Sequence, residues 1–448
     1  LRALYARSVN RTPARHVAPA DAPAKGPAHA RSLTGRPVLR AVGLVTTAAL
    51  VFVGAGIGTA AVTLTGNISA VDAEAALGTD RPEKAEPSDP NAGEAINIVL
   101  LGSDSREGAN AAAADDGTEG ARADTTMIMH ISADRSRVEL LSIPRDTTVD
   151  IPSCPTTGGE QTPELYGTKF NAAFAQGVMY GGDVESGALC TMRTIEEITD
   201  VYMDGFIVVD FSGFQKMIDA LDGVEMCIAN DIDAPKADHL VLSAGVQTLD
   251  GETALKYARA RTGKGLGDGS DIGRIGRQQE LMAALARTVL GQNLLTDSPQ
   301  LLQFLGAVTG SLTMSSNFAS VTGLAGLAYS ARGVRPDTIA FMTAPFMYDP
   351  SNPANVIFTE EAAQVWENMD KDRPLSDAIA VEKKSKKKKD ADASASAGAT
   401  DEPTEDAAAE PTAEPTSETS AEPTPTPTRT RDAGEEAFTS ADVTSVCG

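Results

Sequence analysis

Residues 96–102, Ile-Asn-Ile-Val-Leu-Leu-Gly, form a nearly unbroken apolar run closed by glycine. A short, β-branched apolar run bounded by turn residues reads as a strand buried on both faces. Downstream, Asp124–Ile131 (DTTMIMHI) and Val138–Ile143 (VELLSI) read as two more strands, with the turn Ala133-Asp134-Arg135-Ser136 between them. Apolar residues then recur at helical spacing over 170–177, 187–200 and 211–221, and strands are expected at Phe206–Val209 and Val224–Ile228. Helices are expected again over 251–260 and 273–291, with a helical or mixed segment over 298–330. A late strand at Ile339–Thr343 and a final helix over 359–369, containing Trp366, the only tryptophan, complete the pattern. Strands alternating with helices predict an α/β (α+β) domain with sheet and helices in layers.

Outward from this core the composition changes at both ends. The chain has 448 residues and a formal net charge of −24. About 290 residues between roughly 90 and 380 can build a core, enough for one large domain. Residues 41–65 (AVGLVTTAALVFVGAGIGTAAVTLT) carry no charge. As a helix they span roughly 37 Å, more than the roughly 30 Å hydrocarbon core of a bilayer, so one transmembrane helix is expected. Residues 1–40 hold eight Lys/Arg and a single acid, Asp21, whereas Asp72, Glu74, Asp80, Glu83 and Glu86 follow the apolar run. That asymmetry predicts a single-pass protein of the cell membrane with its N-terminus cytoplasmic and its domain extracytoplasmic. A cleaved signal peptide has a shorter basic region and a shorter apolar core.

The expected organisation is a disordered cytoplasmic arm (1–40), the helix (41–65), a stalk (66–94), the folded domain (95–380) and a low-complexity tail (381–448). The tail is Lys-rich at 383–389 and then repeats Ala, Glu, Pro and Thr. Much of the negative charge sits in this tail and argues against a nucleic-acid partner, which needs a basic surface. Cys154, Cys190, Cys227 and Cys447 form no CxxC pair and the four histidines do not cluster, so zinc spacing is absent. An external domain permits disulfides. Cys154–Cys190 is the expected bond, and Cys227 and Cys447 either pair or stay single.

Charged residues gather at strand ends and in loops. Asp104 and Arg106 follow the first strand, Arg122 and Asp124 open the next, Arg145 and Asp146 close the one after, and Lys169 and Asn171 begin a helix. Arg259 and Arg261 alternate, so both point one way if that stretch is extended. Past a glycine-dense loop, Gly263–Gly269, the residues Asp271, Arg274 and Gln278 are spaced to share one helix face. Arginine forks bind phosphate oxygens bidentately, and Mg²⁺ (or Mn²⁺) takes one or two carboxylates together with phosphate oxygens. The set suits a pyrophosphate held by arginines and a divalent ion, with phosphoryl transfer resting on charge neutralisation and positioning. A single Arg–Asp pair is usually a surface ion pair; the combination carries the reading.

Over residues 94–290, and more loosely to about 375, the chain resembles the LytR–CpsA–Psr cell-wall ligases. The resemblance runs through NIVLLGSDSR, RADTTM, LLSIPRDTTVDIP, KFNAAFAQG, VVDFSGFQKMIDALDGVEMCI, LDGETALKYARAR and DGSDIGRIGRQQ, in the family's order. It implies a central mixed sheet flanked by helices on both faces, with a hydrophobic slot for a lipid tail. It also implies a phosphotransferase of cell-wall biogenesis. Such enzymes move a glycopolymer (teichoic acid or arabinogalactan among them) from a polyprenyl-pyrophosphate carrier to a muramic acid hydroxyl of peptidoglycan, as a phosphodiester.

Carried over by motif, Asp104 and Asp124 would hold the metal. Arg122, Arg145, Lys169, Arg259, Arg261, Arg274 and Gln278 would surround the pyrophosphate, and Arg145, Arg259, Arg261, Asp271 and Arg274 would form the catalytic set. Asp271 either orients those arginines or acts as the base. Arg106 and Arg277 are second-rank candidates. Phe206, Val208, Phe211, Phe214 and Leu221 line the lipid slot or are ordinary core. Relatives with a cysteine at the place of Cys227 often carry a second one before LDG, and here Leu242-Ser243-Ala244-Gly245-Val246 has none. The same features suit two other readings, a pyrophosphatase acting on the same lipid and a non-catalytic lipid-binding wall adaptor.

Overall fold

The computed structural model describes residues 69–85, 93–103, 122–266, 269–291, 312–319, 326, 333–377 and 437–440. The arm 1–40, the apolar run 41–65, Asp104, Arg106, Cys447 and most of the tail lie outside the described residues. Among the described residues no helix is long and apolar enough to cross a membrane.

The elements begin with β1 (Ser69–Val71), α1 (Ala73–Leu77), β2 (Ile96–Ser103), β3 (Ala123–Ile131), β4 (Val138–Ser142), β5 (Thr148–Ile151) and β6 (Leu165–Lys169). A helical hairpin follows, α2 (Ala172–Gly181) and α3 (Val184–Thr199), then β7 (Gly205–Asp210) and α4 (Phe211–Asp219). Four short strands, β8 (Val224–Ile228), β9 (Ile232–Ala234), β10 (Leu240–Leu242) and β11 (Gly245–Leu249), lead to α5 (Gly251–Arg259) and α6 (Asp271–Gly291). The chain continues with β12 (Leu312–Ser315), β13 (Ile339–Thr343), β14 (Phe346–Asp349), β15 (Asn352–Phe358), α7 (Glu360–Asp370) and β16 (Phe438–Thr439).

Eight strands form one mixed sheet in the order β1-β12-β7-β2-β3-β4-β13-β16. β2 runs parallel to β7 and antiparallel to β3, and β4 runs antiparallel to β3 and parallel to β13. Side chains alternate between the faces of a strand, and here the alternation separates two cores. Val99, Leu101, Ile128, Leu141 and Met342 enter a cluster with Phe174, Leu189, Met192 and Trp366 from α2, α3 and α7. Their neighbours Leu100, Met127, Leu140 and Phe341 belong to a second cluster with Met282 and Ala283 of α6. Helices therefore cover both faces, which is why the central strands are apolar throughout. A third cluster joins α4, α5 and α6 to the strands β8 to β11.

Residues 66–94 read as a stalk in the sequence, but their described part is built into the domain. β1 pairs in parallel with β12 at the sheet's edge, and Arg81 meets Glu196 of α3 at 2.5 Å while lying over the Tyr202 ring at 4.0 Å. A three-residue strand has too little periodicity to be seen locally. Cys154 and Cys190 are joined by a disulfide that ties the segment before β6 to α3. Cys227 is also disulfide-bonded, and its partner lies outside the described residues.

Candidate active site

The site forms where β3 begins and β4 ends. The ladder pairs Met127 with Ser142; three residues further along each strand, the same register sets Asp124 across from Arg145. Their side chains meet there, Arg145 Nη1 donating to Asp124 Oδ1 at 2.8 Å. The first turn of α6 closes the cluster from behind. Asp271 Oδ1 lies 3.0 Å from Arg145 Nε and 2.5 Å from Arg274 Nη2, and Arg274 donates to the Asp124 carbonyl at 3.2 Å. Asp124, Arg145, Asp271 and Arg274 thus form a closed ring of alternating charge. Its members come from β3, the β4–β5 loop and α6.

Two carboxylates in this ring respond differently. Burial pushes the Asp124 carboxyl up, but the guanidinium groups of Arg274 and Arg145 outweigh it and hold its pKa below the ordinary value. For Asp271 burial wins over Arg274 and Arg145, helped by the charge of Asp146, and its pKa is raised. Asp124 also accepts a hydrogen bond from Arg145 that lowers its pKa, whereas Asp271 Oδ2 is buried with no hydrogen-bond partner among the described residues. Arg274 is 2% exposed and packs behind Asp124, away from solvent.

In front of the ring opens a cavity of about 500 Å³, lined by Arg122, Asp124, Arg145, Asp146, Thr168, Lys169, Asn171, Ala172, Ala175 and Arg261. Arg261 approaches Asp124 Oδ2 at 3.8 Å, and Lys169 Nζ donates to Asp146 Oδ1 at 2.8 Å. Four cations and two carboxylates share this space, an excess of positive charge suited to a polyanion.

Arg259 departs from the expected alternation. It ends helix α5 instead of sitting in an extended stretch, and its guanidinium lies over the Phe211 ring at 4.6 Å while Arg261 turns to the cavity. Gln278 donates to the Ala258 carbonyl at 3.3 Å. Buried Arg277 donates to the carbonyls of Leu266 and Ala260 and so fixes the segment that carries Arg261. Phe206 and Val208 belong to the α2–α3 side of the core, Phe214 packs on the third cluster, and Leu221 is 1% exposed. None of these apolar side chains lines the arginine cavity.

Asp146, Thr168, Ala172 and Ala175 reach the cavity without having been singled out for a role by their sequence pattern. For Asp146 the pointer was its place beside Arg145; the two alanines have no local signal. Among the described residues no group of three or more His, Cys, Asp or Glu converges as a metal centre. The wall carboxylate Asp124 fits a hard cation that draws its other oxygens from a bound phosphate and from water, and Asp104 lies outside the described residues.

Comparison with known proteins adds sequence likeness to this geometry. The model of the LytR_cpsA_psr family matches residues 60–372. The chain is 33% identical over 242 residues to the probable cell wall biosynthesis protein LcpB of Corynebacterium glutamicum, which covers 53% of this chain and 52% of that protein. It is 30% identical over 354 residues to the cell wall biosynthesis protein LcpA of the same species, covering 74% of this chain and 64% of that one. The polyisoprenyl-teichoic acid–peptidoglycan teichoic acid transferase TagU of Oceanobacillus iheyensis is 30% identical over 213 residues, covering 48% of this chain and 57% of that protein. The chain thus spans about half to two thirds of the length of the curated relatives it matches.

Proposed function

The chain belongs to the LytR–CpsA–Psr family, and from that premise we propose that it is a phosphotransferase that moves a glycopolymer from a polyprenyl-pyrophosphate carrier to peptidoglycan, as a phosphodiester, in cell-wall biogenesis. The observation that carries this reading is the cavity with its four cations and two carboxylates. Relatives whose names specify polyisoprenyl-teichoic acid as donor and peptidoglycan as acceptor support the substrate classes.

In this reading Arg122, Arg145, Arg261 and Lys169 neutralise the diphosphate and hold the attacked phosphorus and its bridging oxygen in line with the incoming hydroxyl. The acceptor oxygen bonds to the phosphorus that carries the polymer, the bond from that phosphorus to the bridging oxygen breaks, and polyprenyl phosphate leaves. Asp271 acts through the arginines: it holds Arg145 on one side and Arg274 on the other. Asp124, with Asp104, would hold Mg²⁺ (or Mn²⁺), which supplies further neutralisation of the diphosphate when bound. The reading includes membrane anchoring by residues 41–65 with an extracytoplasmic domain, a compartment in which the Cys154–Cys190 disulfide is at home.

The test uses the detergent-extracted full chain, a short-chain polyprenyl-pyrophosphoryl disaccharide as donor and uncrosslinked peptidoglycan strands as acceptor, with products separated by mass. Disaccharide joined to peptidoglycan through a phosphodiester is expected. The double variant Arg261→Ala, Asp124→Ala should lower its yield by roughly 100-fold or more. Free disaccharide phosphate with no joined product would identify a pyrophosphatase instead. Donor retained by the wild-type protein with neither joined product nor free disaccharide phosphate would leave only a lipid-binding adaptor, and joining that continues in the double variant would remove Arg261 and Asp124 from the site.

A further inference from the structure

We propose that Asp146 is the group that binds the attacking acceptor hydroxyl and takes its proton, and that the side of the cavity formed by Thr168, Lys169, Asn171 and α2 is the acceptor's side. The proposal rests on the transferase reading and deepens it.

The cavity has two unlike walls. One is the arginine wall, Arg122, Arg145 and Arg261 around Asp124. The other is made by Thr168 and Lys169 at the end of β6, by Asn171, and by Ala172 and Ala175 of α2. This second wall has the features a sugar needs: small side chains that leave room for a ring, and polar groups at its edge. Asn171 stands at the N-cap of α2 yet makes no side-chain capping bond, although capping is the usual use of asparagine there. Its amide is therefore not spent on the helix.

Asp146 lies where the walls meet. Its Oδ1 accepts from Lys169 at 2.8 Å, while its Oδ2 is 3.6 Å from Arg145 Nε, beyond hydrogen-bond reach. The carboxylate is mounted on a loop held by three backbone hydrogen bonds from two sides. Val356 N donates to the Asp146 carbonyl at 3.1 Å, Asn171 N to that of Arg145 at 3.1 Å, and Phe170 N to that of Thr147 at 2.8 Å. Such a mounting keeps the carboxylate in place when a substrate arrives.

The other two carboxylates of the cluster are poorly placed for this role. Asp124 faces Arg145, Arg261 and Arg274 at 2.8, 3.8 and 3.9 Å, which puts it on the diphosphate side. Asp271 does not line the cavity, and its Oδ1 is shared by Arg145 and Arg274. The step balances with Asp146. The acceptor oxygen forms the new phosphorus–oxygen bond, its proton passes to Asp146 Oδ2, and the electron pair of the broken bond leaves with polyprenyl phosphate.

The experiment uses the detergent-extracted full chain with the same donor and acceptor, and adds direct measurement of donor retained by the protein. Asp146→Asn should lower kcat for joining by roughly 100-fold or more while donor retention stays within about twofold of wild type. Asp146→Glu, which keeps the carboxylate, should recover part of that loss. Asn171→Ala should raise KM for peptidoglycan strands by roughly tenfold, the loss of about one hydrogen bond, with little change in kcat. The proposal is overturned if Asp146→Asn joins within about threefold of wild type, or if it loses donor in proportion to activity, since Asp146 then serves only to hold Lys169 and Arg145. A wild-type protein that releases only disaccharide phosphate overturns the transferase reading first and this one with it.

Discussion

At Asp271 the chain buries a carboxylate between two guanidinium groups, and its pKa is nonetheless raised. Taking a charge out of water costs several kcal/mol, and partners repay it only when every lone pair is met; Oδ2 is not met among the described residues. The arrangement is therefore kept at some cost to stability, and what it secures is the direction in which Arg145 points. The sign of the pH effect follows. A carboxyl with a raised folded-state pKa contributes stability that is fully present below its unfolded value and is lost as pH rises through the folded one. Asp271→Asn cannot titrate. Urea unfolding at stepped pH should show wild type losing stability from the ordinary carboxylate range upward, with a shallower loss in the variant, whatever the offset between them. Parallel slopes would mean that Asp271 is not strained. From sequence, the helical spacing of Asp271, Arg274 and Gln278 was visible as one face of α6. That Arg274 turns inward behind Asp124 was not, because nothing local says which residue 150 positions away will meet it.

The helical hairpin of α2 and α3 supplies one wall of the cavity, and its close packing sets where that wall stands. A Cβ added at Gly177 would lie 2.2 Å from the Ser186 carbonyl oxygen, so the two helices touch through bare backbone. The Asp183 side chain caps α3 by accepting from Ser186 N, which holds that carbonyl's turn in place. Gly177→Ala should push α2 outward and cost about 1–3 kcal/mol by overpacking, read as a lower urea midpoint. The same shift moves Ala172 and Ala175, so KM for peptidoglycan strands should rise more than donor retention falls. An unchanged midpoint would mean that the hairpin relaxes freely. The longer helices were legible because 3.6-residue periodicity survives over several turns, and β2, β3, β4 and β13 because buried runs are short and apolar. β9, β10 and β11 were not read. They are three to five residues long with exposed Val241 and Val246, and their pairing is what makes them strands.

Across the whole molecule, residues 437–440 lie on the same sheet as the strands described before residue 377. β16 pairs with β13, Phe438 stacks on Phe341 with ring centroids 5.3 Å apart, and Arg287 of α6 donates to the Ser440 carbonyl at 2.7 Å. This pairing covers a sheet edge that would otherwise offer unpaired backbone to other chains. Phe438→Ala should cost about 3 kcal/mol, measured as a shift in the urea unfolding midpoint; a loss below about 1 kcal/mol would show that β16 is incidental. Local pattern was enough to read a layered α/β domain, its central strands, its principal helices and the supply of arginines and aspartates at their ends, because a short apolar run and a helical repeat are each visible within one element by itself. Only the tertiary structure decided that Asp124, Arg145, Asp271 and Arg274 close a ring, that Asp146 stands between two walls, and that segments near both ends join the sheet. Those facts depend on which distant pieces of chain become neighbours, and two- or three-residue strands acquire their conformation from the partner they pair with.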